Sequence, residues 1–345
     1  MKRVISTILC LAVLMTASCT ADKTEGKAID KVRRSADSLE TEAEEEAEET
    51  TTETTVPSPA PTPTPEVKKH EFQTKVFTTF HKDNYGADSE AAFNAYCEAL
   101  LNGDTEFDYP YETPIYLMYW FSRELMPLGD KYTTVTLTDT TAHIEYNIPH
   151  GDYMAKVEEF KKITTDILDK TCKEDYTDLE KALSIYEYLV HNCTYDYDMN
   201  AHQPYGVLTE GIGICQDIAP AYAFLLNQAG IEAISCGGQN DEAAHDWTVV
   251  WIDGRIYHCD ATFGLEVPGS LRFFGMDDER RIQEGDWNRD LFNYSYNIFD
   301  PEGKYTATDD SFEPLQLSSE CVIDYDNDEI TYTSVLDGET KTFRY

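Results

Sequence analysis

The sequence predicts an α+β fold in which a cysteine at the head of a buried helix packs on an antiparallel sheet carrying a histidine and an aspartate. Three observations carry this expectation. GIGICQDIAPAYAFLL (211–226) sets Cys215 after two glycines and at the start of an apolar helical run. HDWTVVWIDGRIYHCDATFG (245–264) reads as two alternating strands around Asp253-Gly254, a strong two-residue hairpin signal. Upstream, two further segments repeat apolar residues at helical spacing.

The chain has 345 residues, and the first nineteen are set apart from the fold. Lys2 and Arg3 precede the apolar run from Val4 to Met15, and Thr16-Ala17-Ser18 lead to Cys19, the layout of an export signal. The run is too short to favour a permanent membrane span. The stretch resembles a bacterial lipoprotein signal, although Thr16 stands where such signals usually place Leu. That resemblance implies lipidation at Cys19 and an extracytoplasmic protein anchored to the outer face of the cell membrane, with plain secretion as the alternative. Residues 20–69 are dominated by Glu, Thr, Ala and Pro and are expected to form an extended tether. Stretched out, such a tether spans roughly 150 Å.

The formal net charge is -38. The tether explains little of it, holding 13 acids against 7 bases, so the folded part is itself acidic. Phosphate binding needs clustered Lys and Arg, which excludes nucleic acid as an expected partner. Seven cysteines follow residue 69, with no CxxC spacing, so paired-cysteine metal binding is unsupported and no bridge is assigned.

Within residues 70–150, DSEAAFNAYCEALL and TPIYLMYWFSREL read as helices, and YTTVTLTD and AHIEYNI as strands: an N-terminal α+β lobe. From Asp152 to Cys172, Val157, Phe160, Ile163, Ile167 and Leu168 keep helical spacing. A second helix starts at Thr177, which has capping-box spacing to Glu180, and ends near Asn192. TYDYDMNAHQPYGVLTEG then reads as irregular. In the Cys215 helix, Pro220 is tolerable only near the first turn, which fixes the helix start close to Cys215. A thiol there faces unpaired amides and the positive end of the helix dipole, both of which favour thiolate. The last residues, with a second Asp-Gly turn, are expected to form a terminal hairpin in a β extension over 301–345.

The Asp253-Gly254 turn pairs Ile252 with Arg255, and the rest of the register follows by counting. Trp247 comes opposite Asp260, and His245 lies diagonal to Asp260 on the same face. Cys259 and Thr248 point to the other face. A carboxylate holding one imidazole nitrogen fixes the tautomer and leaves the other nitrogen to take a proton from a thiol. The Trp247 indole is placed to shield the pair from water, and His258, on the same face nearer the turn, reads as structural.

Residues 150–290 resemble the transglutaminase-like superfamily, whose core is related in fold to papain-type cysteine peptidases. The matching pieces are KALSIYEYLVHNCTYDY, GVLTEGIGICQDIAPAYAFLLNQAGI, the H-x-W-x-x-V of HDWTVV, the D-x-T of DAT, and FFGMDDERR. The resemblance implies Cys215 as nucleophile, His245 as general base and acid, and Asp260 as the residue orienting His245, within a catalytic core spanning 151–300. Asp217-Ile218 stand where the family often has Gly-Tyr, placing a carboxylate near the thiol. The expected reaction is acyl transfer on peptide or carboxamide bonds of a protein or peptide substrate, hydrolytic rather than crosslinking. A non-catalytic surface binding protein on the same fold is the rival. The backbone amide of Cys215 supplies one oxyanion donor, with Gln203 or Tyr205 as candidates for a second. No cofactor or metal is expected.

Overall fold

The computed structural model describes residues 69–345; the expected signal with Cys19 and the tether through residue 68 lie outside the described residues. The described part is mixed α+β with antiparallel sheets. Helix α1 (Thr79–Asn102) starts where the Thr78 hydroxyl accepts from the His81 amide, and it ends at Gly103, which takes the left-handed conformation. Strand β1 (Glu106–Asp108), helices α2 (Tyr116–Leu125) and α3 (Pro127–Tyr132), and strands β2 (Thr133–Thr138) and β3 (Thr141–Tyr146) follow. The three strands pair in the order β1-β3-β2.

The two long helices lie where apolar spacing put them, at α4 (His150–Thr171) and α5 (Asp178–Asn192). Thr177 caps α5: its hydroxyl accepts from the Glu180 amide at 3.2 Å, and Glu180 Oε2 accepts from the Thr177 amide at 2.7 Å. Both otherwise orphaned donors are thereby satisfied. Thr177→Ala is expected to lower stability by about 1 kcal/mol in urea unfolding, leaving the denaturant slope unchanged.

The stretch read as irregular is more ordered than its sequence suggests. Between strands β4 (Thr194–Tyr195) and β5 (Ile212–Gly213), which pair in parallel, lies helix α6 (Gln203–Glu210). Pro204 sits in its first turn and left-handed Gly211 ends it. The helix is too short for an apolar period to show.

Helix α7 (Cys215–Gln228) begins at the cysteine, as Pro220 required, and all its residues but Gln216 are buried. It packs on strands β6 (Ala233–Gln239) and β7 (Ala244–Ile252), and its other sides meet α2, α5 and α6, so it is apolar all round. Strand β8 (Arg255–Cys259) pairs with β7 in the counted register, from Ile252↔Arg255 to Thr248↔Cys259. Asp253 and Gly254 both adopt positive φ, 51° and 75°, as this turn demands. Helices α8 (Ala261–Gly264) and α9 (Asp278–Gln283) and strands β9 (Asn293–Tyr294) and β10 (Ile298–Phe299) follow, completing a five-stranded antiparallel sheet in the order β10-β9-β6-β7-β8.

After helix α10 (Glu313–Gln316), the C-terminal hairpin gains a strand. Strands β11 (Ser318–Asp324), β12 (Glu329–Ser334) and β13 (Thr340–Arg344) form a separate antiparallel sheet. Buried polar groups join residues 70–150 to the five-stranded sheet. Glu124 Oε2 accepts from the Ser235 amide at 2.7 Å, and His81 Nε2 lies 2.9 Å from the Ser295 hydroxyl. No two of the seven described cysteines are bridged.

Candidate active site

The tip of α7 is built by a proline and an arginine acting together. Pro220 has no amide hydrogen, so the carbonyl of Gln216, one turn earlier, loses its partner within the helix. Arg123 of α2 supplies the missing donor: its Nη2 bonds Gln216 O at 2.7 Å. The same guanidinium pairs with Asp130 Oδ2 at 3.2 Å and lies 3.6 Å from Asp217 Oδ1. Asp217, singled out as a carboxylate near the thiol, is a structural clamp. Its Oδ2 accepts from the amides of Ile214 at 3.2 Å and His202 at 3.1 Å, capping α7 and fixing the chain that leads into α6. Gly213 stays small because a Cβ there would stand 2.7 Å from Val207 and 3.0 Å from the Asp217 Cβ.

His245 and Asp260 meet as the register predicts. His245 Nε2 and Asp260 Oδ2 are 2.8 Å apart, with both residues buried. Asp260 Oδ1 accepts from the Phe263 amide at 3.0 Å, capping α8, and Oδ2 also accepts from Arg281 Nη1 at 2.7 Å. The imidazole stacks on Phe263 at 4.3 Å between centroids and on Trp287 at 5.7 Å. Trp247 shares this face, 6.2 Å from His245, and its ring lies 4.4 Å beneath the Arg281 guanidinium.

Three hydrogen bonds orient α7 relative to β6 and β7. Asn227 holds both backbone groups of Ala233, which pairs with Val250, and Thr248 Oγ1 donates to Ala219 O at 2.9 Å. Moving from Asn227 to Ala219 along the helix therefore moves from Val250 to Thr248 along the strand. Continuing one turn brings Cys215 to the His245 end of the sheet. At that level β8 has ended, so β7 is covered on that side by α8, which lies against α7 while its Phe263 ring lies on the imidazole. Cys215 is 4% exposed and His245 2%.

Trp247 is itself fixed from below. Its indole donates to His258 Nδ1 at 2.8 Å, and His258 Nε2 faces Asp278 Oδ1 at 2.9 Å. Asp278 is held in turn by Arg289 Nε at 2.5 Å. His258 is thus structural, as its position near the turn suggested. With Nδ1 accepting, Nε2 must carry the proton and the ring is neutral.

Burial pulls the His258 imidazole down against the opposing effect of Asp278. Burial would raise the Asp260 carboxyl, but the His245 and Arg281 charges outweigh it and hold it below the ordinary carboxylate value. At Asp278, His258 and Arg289 outweigh burial in the same way. For all three groups the unfolded chain takes up protons first, so each contributes stability above its unfolded pKa that is lost on acidification. Stability is expected to fall from about pH 6.5 through His258 and more steeply below about pH 4 through the carboxylates. Urea midpoints across that range check it; no decline above about pH 5 would show that folding does not weaken proton binding at His258.

The remaining sequence-selected residues are placed apart from this pair. Gln203 opens α6 with a left-handed backbone, φ 61°. The Tyr205 ring is 2% exposed and packs between Phe160 and Tyr132, a position that serves the core. In the loop before α6, Asp196 binds His202 Nε2 at 2.7 Å and the Asn200 side chain at 2.9 Å. Asp324 accepts from Asp326 N and Asn327 Nδ2 in the β11–β12 turn. Sequence reasoning missed Arg123, Arg281 and Trp287. Pro220 held a signal for the first, since it announces an orphan carbonyl at Gln216.

A cysteine at a helix tip, beside a buried histidine–aspartate pair on an antiparallel sheet, is the class of site that thiol nucleophiles use. Residues 165–261 match the transglutaminase-like superfamily, and the chain carries a domain of that superfamily. No curated protein matches the chain. Among solved structures, it is similar to a "putative cysteine protease" from Cytophaga hutchinsonii, at 19% identity over 35% of this chain and 51% of that one, with a TM-score of 0.27. It is similar to a "putative protease" from Parabacteroides distasonis at 16% identity, over 36% and 35%, TM-score 0.24. It is also similar to a structure described as a TGase, at 14% identity, over 38% and 43%, TM-score 0.28. The chain spans about half or less of the length of these proteins.

Proposed function

We propose that the site performs acyl transfer through a Cys215 thioester on peptide or carboxamide bonds, with water as the usual acceptor, on a papain-like core. The observation that carries this reading is the 2.8 Å contact between His245 Nε2 and Asp260 Oδ2, buried at the end of the sheet where α7 begins. An ionised Asp260 accepts from Nε2, so Nδ1 is the nitrogen that exchanges a proton with the Cys215 sulfur.

The thiolate attacks the carbonyl, and the oxyanion forms at the N-terminus of α7 against the Cys215 amide. The imidazolium protonates the leaving amine as the tetrahedral intermediate collapses to the thioester. Water, deprotonated by His245, then attacks the thioester, releasing the acid and returning the sulfur as thiolate. The low exposure of both side chains keeps bulk water from this chemistry. A substrate must displace what covers them, and Trp287 lies directly on the imidazole. The export-signal and lipoprotein-like features of residues 1–19 support a location at the outer face of the cell membrane, or secretion, with protein or peptide substrates.

The test is incubation with a glutamine-containing peptide and a labelled amine, following ammonia release and amine incorporation together. Ammonia release without incorporation is expected, and is lost in Cys215→Ala. Incorporation exceeding hydrolysis would make the protein a crosslinking transglutaminase. If Cys215 is alkylated by iodoacetamide no faster than Cys97 or Cys236, whose thiols burial pushes up, the reading fails in favour of a non-catalytic binding protein.

A further inference from the structure

Asp260 Oδ2 has two donors. His245 Nε2 lies 2.8 Å from it and Arg281 Nη1 2.7 Å. Arg281 is wholly buried, and its Nε and Nη2 groups make no hydrogen bond among the described residues. Its charge rests instead on aromatic faces, with Trp247 at 4.4 Å, Phe263 at 5.4 Å and Trp287 at 5.5 Å. These are the three rings that stack on His245. A buried cation with two unsatisfied N–H groups is costly to fold, and a methionine of similar length would fill the space at less cost. Retaining the charge against the oxygen that holds the imidazole points to a role in setting that imidazole.

We propose that Arg281 is a positioning residue of the site, which fixes the Asp260 carboxylate and, by sharing its Oδ2, limits how firmly His245 holds a second proton. The proposal rests on the acyl-transfer reading only for its purpose, not for its geometry. A carboxylate with no other partner would stabilise the imidazolium with its full charge. A guanidinium on the same oxygen takes part of that charge and repels the imidazolium, so His245 both accepts a proton from the thiol and yields one to the leaving amine near neutral pH.

The other ionisable groups around the pair leave this role to Arg281. Glu284 pairs with Arg272 and Arg280, and Asp278 with His258 and Arg289. Burial keeps the Cys236 thiol and the Tyr186 hydroxyl protonated. Cys215 is the proton-exchange partner itself.

The experiment follows the His245 imidazole by NMR titration in the full protein, its resonance assigned by loss in His245→Gln. Arg281→Met is expected to move the His245 midpoint up by about one pH unit, a tenfold change in proton affinity. Arg281→Lys, which keeps the charge, is expected to stay close to the unsubstituted protein. Should the Met variant not fold, Arg281→Gln, neutral but hydrogen-bonding, makes the same comparison. An unmoved midpoint in a folded, uncharged variant overturns the proposal, as does a Lys variant that shifts as far as the neutral one. This readout needs no turnover. An unreactive Cys215 sinks the acyl-transfer reading while leaving the Arg281 result to stand or fall by itself.

Discussion

Asp260→Ala is expected to cost the fold about 3–5 kcal/mol and to abolish the proposed acyl transfer with it. The carboxylate accepts from His245, Arg281 and the Phe263 amide, and all three residues are buried. Loss of the Phe263 bond removes the cap of α8, worth about 1 kcal/mol. The larger part is the Arg281 charge, left buried with only ring faces for company. Urea unfolding near neutral pH measures the loss. A decrement under about 1 kcal/mol would mean that Arg281 finds water or another acceptor. Because the folded Asp260 carboxyl sits below its ordinary range, the variant is also expected to lose less stability than the parent on going below about pH 4.

Arg123→Ala is expected to do comparable damage from the opposite side of the helix tip, also about 3–5 kcal/mol. It orphans the Gln216 carbonyl that Pro220 left open and strips Asp130 and Asp217 of their counter-charge. Asp130, whose carboxyl burial already pushes up against the opposing charge of Arg123, then gains further proton affinity in the folded state. The deficit is therefore expected to shrink as pH falls from about 7 toward 5, the reverse of the parent's trend. Unfolding curves across that interval distinguish the two slopes. Adding Pro220→Ala to Arg123→Ala should recover part of the loss, since an alanine amide can bond Gln216 O within the helix.

What was legible in the sequence was local. The Asp253-Gly254 turn fixed a register that put His245, Trp247 and Asp260 on one face by counting alone; the structure keeps that register from Ile252↔Arg255 to Thr248↔Cys259 and joins His245 to Asp260. Pro220 located the start of α7 because a ring without an amide hydrogen has few permitted places. Thr177 and Glu180 announced a cap that formed as spelled. The roles of Arg123, Arg281 and Trp287 were illegible, even though Arg281 closes the FFGMDDERR piece, because each reaches the site from another element and no spacing rule relates them to it. Asp217 was read as a neighbour of the thiol because it is close in the chain, whereas its oxygens serve amides and a guanidinium brought in by folding. Helix α6 escaped because eight residues carry too little pattern.

Arg123 also bears on how the molecule can be divided. The stretch that matches the superfamily begins at residue 165, yet the donor that closes the first turn of α7 comes from α2, and the acceptor for the Ser235 amide is Glu124 of the same helix. Excising residues 70–150 would open polar wounds inside the remainder, one beside Cys215 and one along β6. The helix headed by Cys215 is a splice of two regions of the chain, and the segment that carries the family's signature is not a portable module.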